Sequence, residues 1–251
     1  TKMDSNIGRG NMTMFYTAKD YSGASAGFDL DMEDVMVEKL IGLYPAIDTL
    51  VPMLRSFEGV VDCQVTATCK MDSTMSLKLP SLHSACYLHG ENMVLLDGET
   101  FTEISKTLMF KNKKRNVIDS ISVDLAIKDN KIEVFPFLVE MDRYKVAVGG
   151  THNLDMTFNY HLSVLKSPVP FKLGIDITGN LDDFKYKIVK CRYKDLFKPA
   201  KEAELDSTRT NVRKEIRESI RNQIKETAPE LVSSLSPNHT VTPPEGETNA
   251  L

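Results

Sequence analysis

Across Asn153 to Leu165, the stretch NLDMTFNYHLSVL, apolar side chains fall on every second residue. Leu154, Met156, Phe158, Tyr160, Leu162 and Val164 alternate with Asp155, Thr157, Asn159, His161 and Ser163. Successive side chains of a β-strand point to opposite faces, so this pattern predicts a strand that is oily on one side and polar on the other. From Leu154 to Val164 such a strand runs roughly 35–40 Å. Six side chains of this kind, fully buried, stabilise a fold by on the order of 10 kcal/mol, so they require a cover.

The same period recurs along the chain. Val61, Cys63, Val65, Ala67, Cys69 and Met71 alternate within VVDCQVTATCKM, and Met75, Leu77 and Leu79 read as a short continuation stopped by Pro80. SLHSACYLHGENMVLLDG predicts two short strands about the turn Gly90-Glu91-Asn92. Ile121, Val123, Leu125 and Ile127 alternate up to a turn signal at Asp129-Asn130. KIEVFPFLVEM follows with Pro136 inside it, the mark of an edge or a bulge. Tyr144, Val146 and Val148 lead into Gly149-Gly150; after SPVP, Phe171, Leu173, Ile175 and Ile177 alternate; beyond Gly179-Asn180, Phe184, Tyr186 and Ile188 keep the pattern. Consecutive strands on short turns predict an antiparallel meander.

Helical periodicity is scarcer. Asp31 is placed to cap a helix whose apolar side holds Val35, Met36, Leu40 and Leu43, broken at Pro45. Ile47, Leu50, Met53, Leu54 and Phe57 form a second stripe that ends at Gly59, with Pro52 inside it. Thr100 and Glu103 have capping-box spacing ahead of a helix with Phe101, Ile104 and Leu108 on one side. KEAELDSTRTNVRKEIRESIRNQIKE reads as a charged helix with a thin stripe of Leu205, Val212, Ile216, Ile220 and Ile224. The expected organisation is a β-domain over 1–200, that helix over 201–227, and a Pro/Ser/Thr-rich disordered tail over 228–251. The segment up to Leu30 is ambiguous: NMTMFYTA is compatible with a strand, whereas YSGASAG reads as a loop. The fold class is α+β and β-dominated.

Three covers are conceivable for the oily side: helices or a second sheet, lipid around a membrane barrel, or acyl chains in a curled groove. A membrane barrel wants aromatic girdles and no substantial helices, and this chain has no Trp and several helical segments. The groove gains from repetition, because many strands carry the one-sided pattern and few helical stripes are available to cover them.

Composition narrows the chemistry. The chain has 251 residues, 41% hydrophobic and 26% charged, with net charge −4, which disfavours a nucleic-acid partner. No apolar run reaches membrane-spanning length, and a start at Thr1 suggests a fragment or a processed form. Cys63 and Cys69, six residues apart on one strand, sit roughly 20 Å apart and cannot bridge. They, Cys86 and Cys191 read as small apolar residues, not a disulfide framework. Gly23-Ala24-Ser25-Ala26-Gly27 matches the nucleophile-elbow pattern, but no helix follows Ser25 at once, so small loop residues are the better reading. His83, Cys86 and His89 are spaced three apart, which on a strand sends them to opposite faces, against a metal site. The basic turn KNKKR (111–115) reads as a solvated loop, and Asn238-His239-Thr240 is a weak glycosylation signal. No catalytic residue, metal or cofactor is expected.

The order of a helix after Asp97-Gly98-Glu99, the Ile132–Phe137 stretch I-x-V-x-P-F, G-x-x-N-L-D from Gly150 and I-x-G-N-L-D-D from Ile177 resembles the C-terminal region of AsmA-family proteins of the Bacteroidetes type, over about Leu40 to Leu196. The resemblance implies a non-enzymatic periplasmic domain tied to the inner membrane by an upstream anchor. It also implies an antiparallel meander curved into an apolar groove, and a role in phospholipid transport or outer-membrane biogenesis. The implied partners are phospholipid acyl chains and envelope proteins. The expected groove lining is Leu154, Met156, Phe158, Tyr160, Leu162 and Val164, joined by phase by Val123, Leu125, Val146, Val148, Leu173, Ile175 and Ile177. A structural or interaction domain with a core sealed by its own helices is the alternative.

Overall fold

The computed structural model describes residues 2–5, 8–19, 23–43, 54, 57–95, 116–141, 144–168, 172–180 and 183–227. They form one antiparallel sheet in which nearly every strand pairs with its neighbours in sequence. Its strands are β1 (Lys2–Ser5), β2 (Gly8–Lys19), β3 (Gly23–Met36), β5 (Val60–Met71), β6 (His83–Leu95), β7 (Asn116–Lys128), β8 (Lys131–Met141), β9 (Tyr144–Asn153), β10 (Phe158–Lys166), β11 (Leu173–Gly179) and β12 (Phe184–Val189), in that spatial order. A two-residue strand β4 (Phe57–Glu58) lies end to end with β5 against β6. The helices are α1 (Val37–Leu43) and α2 (Pro199–Thr227). The predicted meander is present, and it reaches farther toward the N-terminus than the periodicity indicated.

Local chemistry explains the turns and irregularities. Asp129 and Asn130 both adopt left-handed φ (53° and 60°), the conformation of a two-residue hairpin matched to strand twist. Pro136 sits in a bulge between Val134 and Phe137, which lets a central strand tolerate a residue that cannot donate. Gly149 makes room for it, since a Cβ there would lie 2.9 Å from Pro136 Cα. Pro199 opens α2, where its missing N–H costs nothing.

Four expectations are corrected. The loop read at YSGASAG is the start of β3, and Ser25 lies inside that strand, paired with Thr17 and Lys70. Gly27 stays in the ladder because the Phe15 ring lies over it, 2.3 Å from where a Cβ would stand. Asp31 caps no helix: strand pairing continues through it to a bulge between Met32 and Val35, and the helix starts only at Val37. Met75, Leu77 and Leu79 form no strand, because Asp72 Oδ1 accepts from the Thr74 and Ser76 amides (2.8 and 3.0 Å) and folds a tight turn. The two strands read about Gly90-Glu91-Asn92 are one, β6, with Asn92 at φ 51° inside it.

The long strand predicted from Leu154 is also shorter than its alternation. Asp155 Oδ1 accepts from the Thr157 amide (2.9 Å) and Met156 takes φ 71°, so the chain reverses between β9 and β10. Leu154 and Met156 therefore belong to a turn. The helical stripe from Ile47 to Phe57 does not run on to Gly59: Leu54 is buried in the core, but Phe57 lies in β4, paired with Leu95 of β6. Its part over 47–53, the capping box at 100–103 with its helix, the 111–115 turn and the 228–251 tail lie outside the described residues.

Candidate functional site

Residues directly opposite one another in a ladder share a face. Read across the sheet from β2 to β12, one row is Met12, Leu30, Val65, Cys86, Leu125, Val134, Gly150, Tyr160, Ile177 and Tyr186. The row one residue out of phase is Thr13, Asp29, Thr66, Ala85, Ala126, Glu133, Thr151, Asn159, Thr178 and Lys185. The first contains no charged residue and the second is mostly polar. Ten strands at about 4.8 Å make this apolar face roughly 43 Å wide.

Of the expected lining, all but Leu154 and Met156 lie on the apolar face. Val146, Val148, Val164, Ile175 and Ile177 belong to one continuous buried cluster, with Val123, Phe158, Leu162 and Leu173 packed against it; Leu125 anchors a smaller cluster with Ile127 and Ile132 that Leu154 touches. Burial is graded across the face. Ile175 is 1% exposed, whereas Ile188, directly opposite it on the edge strand β12, is 61% exposed, and Met14 on β2 is 69% exposed. Burial pushes the Tyr160 phenol up to about 12, as expected in apolar surroundings. Among the described residues α1 covers the β3 and β5 end of this face through Val37 and Leu40.

The long helix lies on the other face. α2 contributes no residue to either apolar cluster. Arg209, Arg213 and Arg217 recur every four residues, so they share one side of the helix. Arg217 reaches Asp29 (3.2 Å) and Asp31 (3.6 Å) on β3; Arg213 stacks over Tyr87 of β6 (4.9 Å) and meets Asp124 of β7 (3.4 Å). Arg209 also meets Asp124 (3.7 Å) and donates to the carbonyl of Pro136, the residue in the β8 bulge. Burial pushes the Asp124 carboxyl above its ordinary range, against the pull of Arg213 and then Arg209. The thin apolar stripe marks the helix in the sequence, and the every-fourth arginine spacing marks the side by which it is fastened.

A second fastening, missed by sequence reading, holds the segment after β12. His161 Nδ1–H donates to Asp176 Oδ1 (2.6 Å), and its Nε2 accepts from the Ser163 hydroxyl (2.8 Å) and the Arg192 amide (3.2 Å). Ser163 Oγ accepts from the Tyr193 amide (3.0 Å), the Arg192 guanidinium closes on Asp176 Oδ2, and the Tyr193 ring meets the imidazole edge-on. Atom for atom this is the order of a Ser-His-Asp triad. Ser163, however, has 0% exposure and its oxygen already receives a backbone amide, so an acyl substrate has no approach. The geometry is that of a clamp between 190–198 and the sheet. Finding it needed the register that brings His161 opposite Asp176.

The remaining chemistry-bearing residues do not converge. His83 and His89 share the polar face and Cys86 takes the apolar one, and among the described residues no group of three potential ligands gathers. Cys63 is buried, and its thiol is held well above the ordinary range, first by a hydrogen bond with Cys86 and then by burial, which makes it a poor nucleophile. Among the described residues no helix is long and apolar enough to cross a membrane. Compared with known proteins, the chain matches no family model, no curated protein and no solved structure.

Proposed function

We propose that this chain is a non-enzymatic, AsmA-like envelope domain that holds phospholipid acyl chains against the apolar face of its sheet, in the periplasm. One observation carries the reading: a face without a charge in its central row extends over ten strands, while the long helix lies on the opposite side. Twisted open sheets of this width curl, and curling this one toward its apolar side makes a trough matched to hydrocarbon. The lining is Val123, Leu125, Val146, Val148, Phe158, Tyr160, Leu162, Val164, Leu173, Ile175 and Ile177.

A second reading, a structural or protein-interaction domain with a sealed core, draws support from the burial of Val164 and Ile175 at the centre of the same face. Lipid extraction of the natively purified protein, followed by mass spectrometry, separates the two. Stoichiometric phospholipid is expected, with Phe158→Asp abolishing it while the protein stays folded. Lipid-free protein that Phe158→Asp unfolds would establish the sealed core instead.

A further inference from the structure

The edge strand β12 and the chain that leaves it differ in charge from the rest of the molecule. FKYKIVKCRYK (184–194) carries five basic residues and no acidic one, in a chain of net charge −4. The pleat sorts them. Phe184, Tyr186 and Ile188 continue the apolar face, and Lys185 and Lys187 take the polar face. Tyr186 and Ile188 are 47% and 61% exposed, and among the described residues no strand pairs beyond β12. Just past the strand, Lys190, Cys191 and Lys194 join Lys172 around an open recess of about 660 Å³. Arg192 is spent on Asp176, and Lys194 lies near Asp195, which Lys198 already holds at 2.6 Å. Among the described residues Lys172 and Lys190 enter no ion pair.

We propose that this edge docks the domain on an anionic bilayer surface. Tyr186 and Ile188 enter the headgroup boundary, where an amphipathic ring is favoured. Lys185, Lys187, Lys190 and Lys172 meet lipid phosphates, with their alkyl stems lying along apolar surface and their ammonium groups in the polar layer. This surface abuts the apolar face and places its β12 margin at the membrane. It is a separate claim from acyl-chain holding, and each can fail alone.

The test is flotation of the purified chain with vesicles of phosphatidylcholine alone and of phosphatidylcholine mixed with phosphatidylglycerol, at low and high salt. Binding is expected only to the mixed vesicles and weakens as salt rises. Lys185→Gln/Lys187→Gln/Lys190→Gln, and separately Tyr186→Ser/Ile188→Ser, are each expected to lower binding by about tenfold or more. Their melting midpoints should stay near the parent's, because the substituted side chains are exposed. Equal binding to neutral vesicles, or unchanged binding by the lysine variant, overturns the proposal. So does a lysine variant that self-associates with vesicle binding intact, since the lysines would then be guards against edge pairing. Inorganic phosphate that displaces the protein at matched ionic strength would mark a small-anion recess and also overturn it. Lipid content of the same preparations, measured by extraction, reports separately on acyl-chain holding.

Discussion

On the polar face of the sheet a highly charged helix is held by arginines that meet Asp29, Asp31 and Asp124, and a histidine clamp fastens the segment after β12. On the apolar face α1 covers one end, the centre is buried, and the margins at β2 and β12 stand in water. The same strands make both faces, one residue out of phase. Each cover goes where its own chemistry is matched. A helix with three arginines on one side would strand them unpaired against valine and isoleucine, at a cost that its thin apolar stripe could not offset.

A charge placed at two neighbouring points of the apolar face should have unequal consequences at its centre and at its margin. Ile175→Asp puts a carboxylate at a site 1% exposed and is expected to cost about 4 kcal/mol or more in urea denaturation. Ile188→Asp, opposite it in register but 61% exposed, should fall within about 0.5 kcal/mol of the parent. Equal losses at both positions would mean that the β12 margin is covered in solution. The next effect tests the polar face. Asp124→Ala leaves Arg209 and Arg213 facing each other without their shared carboxylate, and is expected to cost about 3 kcal/mol. Hydrogen exchange should show α2 opening while the sheet amides stay protected. Arg217→Ala, which breaks a partly exposed pair, should cost under about 1 kcal/mol.

Much of the sheet was legible because the period-two pattern is a local property, and it marked β5, β7, β11 and β12 well. Pro136 announced its bulge and Asp129-Asn130 its turn by backbone chemistry alone. What stayed hidden depended on partners. The alternation from Leu154 to Val164 is unbroken in sequence, yet Asp155 and Met156 fold its first part into a turn. The helical look of Asp31 to Met36 yields to ladders on both sides of β3, tertiary pairing outweighing local propensity. The triad-like clamp was invisible because His161 and Ser163 read only as polar positions, and their meaning comes from Asp176 across the ladder and from Arg192 and Tyr193 beyond β12.

A pH-dependent effect tests a polar residue on the oily side. His152 lies opposite Ile132 and Phe158 on the apolar face, is 1% exposed, and its Nε2 has no hydrogen-bond partner. Burial pushes its imidazole below the ordinary range, with Asp155 pulling weakly the other way. The unfolded chain therefore takes up a proton at this residue near pH 6.5, before the folded chain does. The stability it contributes is present above about pH 6.5 and is lost as pH falls toward and through the lowered folded value. His152→Leu removes both the titration and the unpaired nitrogen. Relative to the parent it should gain more stability at about pH 5 than at about pH 8 in chemical denaturation. Asp155 titrates in both proteins, so the difference between the two pH curves isolates the histidine. Parallel curves would mean that water reaches the imidazole in the folded state, and a face wet at that depth could not hold hydrocarbon there.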